Sequence, residues 1–142
     1  MNVHQVSIVF TSRSADGDQP ARSVRRSGQI AEGADGFYLL FQDTVEEAGT
    51  VDYSIKFGNR EALIRRKGAL PLRQPLALGV SMGGSYQSPF GTLPTEAVAR
   101  RIEADWDAAK GQGRATLSYE LTMQQEPAGN FEMIFSFSRL RR

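Results

Sequence analysis

The chain has 142 residues, of which 40% are hydrophobic and 23% charged, and its formal net charge is +1. This composition is typical of a globular protein, and the length predicts a single domain over residues 1–142. The absence of cysteine excludes disulfides and thiolate nucleophiles, the single histidine excludes sites built on paired histidines, and the balanced charge gives no general attraction to nucleic acid or membranes.

Signals for export or membrane insertion are absent from the sequence. No apolar run approaches the roughly 18–20 residues that a membrane-spanning helix needs. Residues 1–5 have neither the basic start nor the apolar stretch of a secretory signal. We therefore expect a cytoplasmic protein with no membrane partner.

Alternating apolar and polar residues predict short strands in the first half of the chain. The apolar positions are Val6, Ile8 and Phe10, then Phe37, Leu39 and Phe41, and then Val51, Tyr53, Ile55 and Phe57. A weaker pattern predicts a strand over 21–32, and residues 12–19 and 44–49 are predicted to be loops. Asp35-Gly36 is a hairpin signal because both central residues of a type I′ turn prefer a positive φ.

The middle of the chain is predicted to contain two more strands and a corner. After a turn at Gly58-Asn59, a strand is predicted over 61–67, and Leu76, Leu78 and Val80 continue the period-two pattern in the next. Residues 83–92 contain three glycines and a proline. Because Pro89 forces the preceding residue into an extended conformation and Gly91 tolerates a positive φ, we predict that the sheet folds back on itself here.

The stretch from Pro94 to Lys110 allows two interpretations. Its glutamate, alanine and arginine content favours a helix, as does the i, i+4, i+8, i+11 spacing of Val98, Ile102, Trp106 and Ala109. A strand face is formed equally well by the even-numbered residues Val98, Ile102, Ala104, Trp106 and Ala108, with Arg100 as the exception. Propensity by itself predicts the helix.

The last part of the chain predicts a hairpin. Turns are predicted at 111–113 and 127–130. The apolar stripes of the two strands are Leu117, Tyr119, Leu121 and Met123, followed by Phe131, Met133, Phe135 and Phe137. Short strands at this spacing indicate an all-β antiparallel fold. Closure of about eight to ten strands into a single up-and-down barrel removes exposed sheet edges, so we predict a barrel.

The segment Ser85-Tyr86-Gln87-Ser88-Pro89-Phe90-Gly91-Thr92-Leu93 resembles the Tyr-x-Thr-Pro-Tyr/Phe-Gly-Thr signature of the YwiB-like bacterial family. The resemblance extends to residues 35–39, 64–68, 111–113, 117–121 and 131–138, with Ser88 where the family typically has threonine. It implies a calycin-like (lipocalin-like) β-barrel with no assigned function, and it favours β structure over 94–110. No functional residue follows from it.

Arginine doublets are the most informative polar feature. Neighbouring strand residues point to opposite faces, so Arg25-Arg26, Arg65-Arg66 and Arg100-Arg101 would each place one arginine inward. An inward arginine must pair with a carboxylate, open at the barrel mouth or meet an anionic ligand. The argument is sharpest for Arg66, because it shares a face with Ile64. The alternative is that these arginines lie at strand ends and reach solvent.

Three further features of the sequence can be interpreted either structurally or functionally. Aromatic and methionine side chains form a stripe along the predicted strands: Tyr53, Phe57, Tyr119, Met123, Phe131, Met133, Phe135 and Phe137. The stripe predicts either a filled core or a partial apolar cavity, since a barrel of about eight strands can fill its interior or hold one small ligand. The acidic pairs Glu46-Glu47 and Asp105/Asp107 are expected to be solvated rather than to bind metal or act as acid and base. His4 is expected to be an ordinary strand or surface histidine.

We therefore expect a non-enzymatic module that holds a small apolar or amphipathic anion, or a peptide, at the barrel mouth. Arg66 would anchor the ligand, and Tyr53, Tyr86, Phe90 and Tyr119 would line the site. No catalytic residue, metal or cofactor is expected, and no nucleic-acid partner. The alternative is a structural or protein-interaction module that acts as a homodimer with a filled core; an enzyme is the least favoured class.

Overall fold

The computed structural model describes residues 2–14, 21–45 and 49–140. These residues form ten strands, each antiparallel to its neighbours in the chain, and β10 pairs with β1 to close a barrel. The strands are β1 (Val3–Ser14), β2 (Arg22–Glu32), β3 (Phe37–Val45), β4 (Gly49–Phe57), β5 (Glu61–Gly68), β6 (Leu72–Ala77), β7 (Ser81–Ser88), β8 (Gly91–Asp107), β9 (Gln112–Met123) and β10 (Glu126–Arg139). The predicted all-β, up-and-down barrel is confirmed. Within the described ranges no helix is long and apolar enough to span a membrane.

The ambiguous stretch from Pro94 to Lys110 is a strand as far as Asp107. The β structure that the family resemblance favours is therefore confirmed, and the helix that propensity by itself predicts is wrong. Pairing with β7 on one side and β9 on the other overrides a weak local preference. A bulge at Arg100 shifts the register against β9, and the inward side changes from the buried Ala97 and Ala99 to Ile102 and Trp106, which are partly buried against the core. Val98 and Ile102 therefore do not share a face.

The turn between the last two strands lies earlier than predicted. The chain reverses at Gln124 and Gln125, whose φ values are 53° and 68°. The predicted turn at 127–130 is wrong, because these residues belong to β10 and pair with β9 on either side of a bulge between Pro127 and Gly129. Proline and glycine serve there to interrupt the ladder rather than to reverse the chain.

Several strand ends also differ from the prediction. The strand predicted through Val80 is wrong, because β6 ends at Ala77 and Gly79 turns the chain with a φ of 72°. Ser12–Ser14, Thr44–Val45 and Gly49 were predicted in loops but continue strands; the rest of those loops lies outside the described residues. The turn predicted at 111–113 lies over 108–111, and β9 begins at Gln112.

The predicted corner over 83–92 is a tight hairpin between β7 and β8. Only Pro89 and Phe90 lie between the two strands. The Ser88 hydroxyl accepts a hydrogen bond from the Phe90 N–H at 3.1 Å and donates one to the Gly91 carbonyl at 2.9 Å. Gly84 lies within β7, where a Cβ would stand 2.4 Å from the Arg73 carbonyl oxygen. The reversal was predicted correctly, but residues 83–87 are strand.

The two ends of the barrel differ. We call the end that carries Ser14, Arg22, Gly68, Ser88 and Met123 the mouth, and the opposite end the closed end. At the closed end the rings of Phe37, Phe57, Trp106 and Phe137 pack together with centroids 5.2–5.9 Å apart. The Trp106 Nε1–H donates to the Glu32 carboxylate at 2.7 Å. The fully buried side chains between the mouth and the closed end form the core, which includes Ile8, Leu39, Ile55, Ile64, Leu117 and Phe135.

Candidate functional site

A cavity of about 450 Å³ opens at the mouth of the barrel. This volume is within the usual range for pockets that hold small molecules. Its apolar wall is formed by Phe10, Leu72, Leu121, Met123, Phe131 and Met133, and its polar groups come from Ser12, Arg13, Ser14, Arg22, Tyr53, Arg66, Tyr86, Tyr119 and Glu132. The cavity therefore combines an apolar interior with several cationic and hydroxyl groups.

Four of the predicted site residues line this cavity, and the sheet register explains why. Tyr53 lies directly opposite Arg66 on the neighbouring strand, Arg66 opposite Leu72, and Leu72 opposite Tyr86. Directly opposed residues in antiparallel strands share a face, so this row crosses four strands on the inner wall. Tyr119 joins it from β9. Phe90 does not line the cavity: it is 98% exposed at the tip of the β7–β8 hairpin.

Arg66 is held in place by neutral groups. Its Nε donates to the Leu70 carbonyl at 2.7 Å, and its Nη1 lies 3.4 Å from the Tyr53 hydroxyl. The guanidinium carbon is 5.9 Å from the centre of the Tyr53 ring. Within the described ranges no carboxylate lies within ion-pair distance of this side chain. Arg66 thus presents an unmatched positive charge on a half-buried, positioned side chain.

The other arginines of the cavity are paired. The Arg13 Nε donates to the Glu132 carboxylate at 2.7 Å, and the Arg22 Nη1 donates to Asp43 at 2.8 Å. Arg26, the inward member of its doublet, also donates to Asp43, at 2.9 Å. The doublet argument therefore has three outcomes in this molecule: Arg26 pairs with a carboxylate and Arg66 faces the cavity. For Arg100-Arg101 the prediction is wrong, because both side chains are more than half exposed beside the β8 bulge.

Asp43 is a buried carboxylate beside the cavity arginine Arg22 that was not predicted from the sequence. It is 3% exposed and accepts hydrogen bonds from both arginines and from the Thr44 N–H. Burial by itself would raise the pKa of Asp43, but the hydrogen bonds from Arg22, Thr44 and Arg26 hold it below its ordinary value. The signal was present, since position 43 continues the odd-numbered stripe of Phe37, Leu39 and Phe41.

The Tyr119 hydroxyl in the cavity donates a weak hydrogen bond. Its partner is the Met133 sulfur at 4.0 Å, and thioether sulfur is a weak acceptor. Burial raises the pKa of Tyr119 to about 12. The hydroxyl therefore stays protonated at neutral pH and can donate to an incoming acceptor.

The aromatic stripe divides between the two ends, so both predicted interpretations apply. Tyr53, Tyr119 and Phe131 line the cavity, whereas Phe57 and Phe137 belong to the filled core. Ser12, Arg13 and Ser14 were missed as lining residues because β1 extends further than predicted.

The remaining candidate groups lie away from the cavity. His4 is at the closed end, with its ring 5.3 Å from Trp106 and its Nε2 3.4 Å from the Glu32 carboxylate. Asp107 accepts a hydrogen bond from the Lys110 N–H in the β8–β9 turn. Glu46-Glu47 lies outside the described residues. In the part of the chain that the structure describes, no three acidic or histidine side chains are grouped to hold a metal.

Comparisons with known proteins agree with this architecture. The model of a family described as "Domain of unknown function (DUF1934)" matches residues 6–134. A relative described as the uncharacterized beta-barrel protein YwiB of Bacillus subtilis (strain 168) is 27% identical over 111 residues, which cover 78% of this chain and 76% of that protein. The crystal structure of the ywiB protein from Bacillus subtilis superposes with a TM-score of 0.82 at 21% identity, over 98% of this chain and 94% of that one. The shared fold thus includes the whole barrel.

Proposed function

The chain belongs to the family described as Domain of unknown function (DUF1934), as the resemblance predicted, and on that premise we propose that it binds a small amphipathic anion in the mouth cavity. The observation that carries the proposal is the unmatched charge of Arg66 on the cavity wall. An arginine in a half-buried position ordinarily pairs with an acid, because an unpaired charge is costly to remove from water.

The position of Arg66 suits it to hold an anion. Its hydrogen bond to the Leu70 carbonyl and its contact with Tyr53 fix the side chain, so little conformational entropy is lost on binding. Hydrogen bonds to a charged group are stronger than those between neutral groups. An anion held there would also accept from the Tyr119 hydroxyl or the Tyr53 hydroxyl.

The apolar wall supplies the second half of the recognition. Leu121, Met123, Phe131 and Met133 line the cavity beside the polar row of Tyr53 and Arg66. Apolar area removed from water contributes about 25 cal/mol per Å². The wall therefore favours a ligand whose charged head meets Arg66 and whose apolar body fills the interior.

The arrangement favours binding over catalysis. The carboxylate that lines the cavity, Glu132, is engaged by Arg13. Tyr119 is held neutral by its raised pKa, so it is a poor base at neutral pH. The cavity thus offers donors and apolar surface, which are the groups that a binding site needs.

A matched pair of arginine variants tests this proposal. Anilinonaphthalene sulfonate is a fluorescent amphipathic anion, and its titration measures the dissociation constant directly. We expect Arg66→Met to weaken its binding at least about tenfold, which is the loss of one charged hydrogen bond. Arg65→Met is the control, because Arg65 is exposed and faces outward between Ser54 and Arg73. We expect it to stay within about twofold of the unmodified protein.

Two results would contradict the proposal. One is the absence of any saturable binding of the dye to the unmodified protein. The other is equal affinity of the Arg66→Met and Arg65→Met variants, since the charge at the mouth would then have no part in recognition. Thermal melts of both variants check that the barrel remains folded.

A second candidate function is a protein-interaction module that acts as a homodimer. The observation that favours it is the 98% exposure of Phe90 at the β7–β8 tip, where a second copy would cover the ring. Light scattering tests it across a range of concentrations, with Phe90→Ser as the comparison. A monomer at every concentration would count against this function.

A further inference from the structure

We infer that the closed end of the barrel binds an extended peptide segment, which pairs with a free edge of β8 as an additional strand. β7 pairs with β8 only as far as Val98, whereas β8 continues to Asp107. Beyond Val98, this edge of β8 has no neighbouring strand among the described residues. An unpaired strand edge is where an extended peptide can add to a sheet through main-chain hydrogen bonds.

The register shows which backbone groups face the free edge of β8. The Arg139 N–H donates to the Gly111 carbonyl at 2.7 Å, and hydrogen-bonded pairs alternate along an antiparallel ladder. The odd-numbered residues of β9 therefore bond to β10, and its even-numbered residues bond to the odd-numbered residues of β8 beyond the bulge. The N–H and C=O groups of Ile102, Ala104 and Trp106 consequently point to the free edge. Within the described ranges no backbone group bonds to them there.

The gap beside this edge is as wide as one strand. Leu78 and Gly79 show its width, because they lie between the β4–β5 turn and β8 and bond to both. The Leu78 N–H donates to the Arg60 carbonyl at 3.2 Å, and the Gly79 N–H donates to the Ala99 carbonyl at 2.9 Å. Beyond Ala99 the gap continues as an open groove of about 690 Å³, with residues 58–60 on one side and β8 on the other. One extended chain therefore fits where Leu78 and Gly79 leave off.

The groove continues along the same edge as far as Trp106, in a second part of about 420 Å³ whose lining includes Phe37 and Phe57. The Ala104 side chain lines both parts and is exposed, although it lies on the same face as the partly buried Ile102 and Trp106. Side chains alternate between the two faces of a strand, so every second residue of an added strand would lie beside these apolar groups. We therefore expect a peptide with apolar residues at alternate positions and polar residues between them.

The two walls of the groove favour a single chain over the edge of a second barrel. An edge strand of another barrel has its own neighbouring strand about 4.8 Å away. Residues 33, 36 and 58–60 stand on the side of the groove that such a neighbour would occupy. A single extended segment meets no such obstacle.

Amide hydrogen exchange tests whether the edge is free. In the unmodified protein we expect the N–H groups of Ile102, Ala104 and Trp106 to exchange at least about a hundredfold faster than those of Glu103 and Asp105, which bond to β9. Equally slow exchange at all five positions would overturn the inference, because the edge would already be covered. If the slow exchange appears only as the protein concentration rises, a second copy covers the edge and the inference is also wrong.

A matched pair of variants at position 104 tests peptide binding. The probe is a fluorescein-labelled octapeptide selected from a random display library on the unmodified protein, and fluorescence anisotropy measures its dissociation constant. Ala104→Pro removes an N–H that faces the groove and leaves the ladder with β9 intact, since an edge strand tolerates proline where its N–H faces solvent. We expect Ala104→Pro to weaken binding at least about tenfold. Ala104→Ser keeps the N–H and should stay within about threefold.

A second measurement keeps the inference testable if Ala104→Pro does not fold. In the unmodified protein, the bound octapeptide should slow the exchange of the Ile102 and Trp106 N–H groups at least about tenfold. Unchanged exchange at both would contradict backbone pairing at this edge.

The remaining outcomes separate this site from the mouth cavity. Arg66→Met should leave the affinity for the octapeptide within about twofold, because Arg66 lies at the other end of the barrel. The inference is wrong if selection yields no peptide with saturable binding, if the peptide binds the two variants at position 104 equally, or if Arg66→Met weakens its binding tenfold. None of these results bears on anion binding at the mouth, which the dye titration tests independently.

Discussion

At the scale of single residues, Asp43 closes a weak point of the barrel wall. Strands β2 and β3 pair only between Gly28 and Glu32 on β2, and the ladder ends there. Beyond that point Asp43 on β3 bonds to Arg22 and Arg26 on β2, so ion pairs take the place of backbone hydrogen bonds. Removing one partner of a buried ion pair leaves an uncompensated charge, which makes this carboxylate important for stability.

We predict that Asp43→Asn lowers the free energy of unfolding at neutral pH by about 3 kcal/mol, because Arg26 and Arg22 lose the buried negative charge and one of its two acceptor oxygens. The folded pKa of Asp43 lies below its ordinary value of 3.8, so its contribution is complete above that pH and is lost as the pH falls through the folded pKa. The variant should therefore lose this part of the acid dependence. Urea unfolding at about pH 7 and about pH 3 measures both effects.

Glu120→Gln is the control for Asp43→Asn. Glu120 pairs with Arg100 at 2.6 Å, but both side chains are largely exposed, and such pairs contribute less than about 1 kcal/mol. Equal losses in the two variants would show that the β2–β3 bridge has no special role.

At the scale of strands and turns, the β9–β10 turn is formed by two residues whose types do not predict a turn. Gln124 and Gln125 both have a positive φ, although only glycine and asparagine adopt that conformation readily. The Pro-Ala-Gly-Asn segment that follows has the composition of a turn but forms a bulged strand. The pairing of Met123 with Glu126 fixes a two-residue loop, and local preference yields to it.

Replacing this turn should stabilise the protein. We predict that Gln124→Asn with Gln125→Gly raises the free energy of unfolding by about 1–2 kcal/mol, because asparagine and glycine tolerate the type I′ conformation without the cost to other residues. The melting temperature should rise by several degrees, measured by circular dichroism. The double alanine variant is the control and should give no gain; an equal rise in both would mean that the backbone is not strained here.

The contrast between local sequence pattern and strand pairing also explains how much of the site could be predicted. Alternation placed Tyr53, Arg66 and Tyr119 on inner faces correctly, because one buried face fixes the period within a strand. Phe90 was misplaced because position along a hairpin decides whether a side chain reaches the interior, and the hairpin tip lies outside it. Alternation would also have placed Asp43 on the inner face, but its pairing with Arg22 joins two strands where the ladder has ended, and no local pattern encodes that contact.

At the scale of the whole molecule, the barrel divides into a filled half and a hollow half. Side chains on β9 illustrate the division, because Leu117 is 0% exposed in the core whereas Leu121 lines the mouth cavity on the same face. A barrel of this size can fill its interior or hold one small ligand, and this one does the first at the closed end. Stability should therefore come mainly from the closed end and the middle.

A matched pair of truncations tests this division. We predict that Leu117→Ala lowers the free energy of unfolding by about 2–5 kcal/mol, because it opens a cavity in a close-packed region. Leu121→Ala should lower the free energy of unfolding by less than about 1.5 kcal/mol. It only enlarges a cavity that is already open, and it loses only part of the free energy of burying a leucine side chain. Urea unfolding measures both. Because the two residues share a type, a strand and a face, an equal loss would mean that the mouth is packed as tightly as the core, and the cavity proposed to hold the ligand would then have no place in the native state.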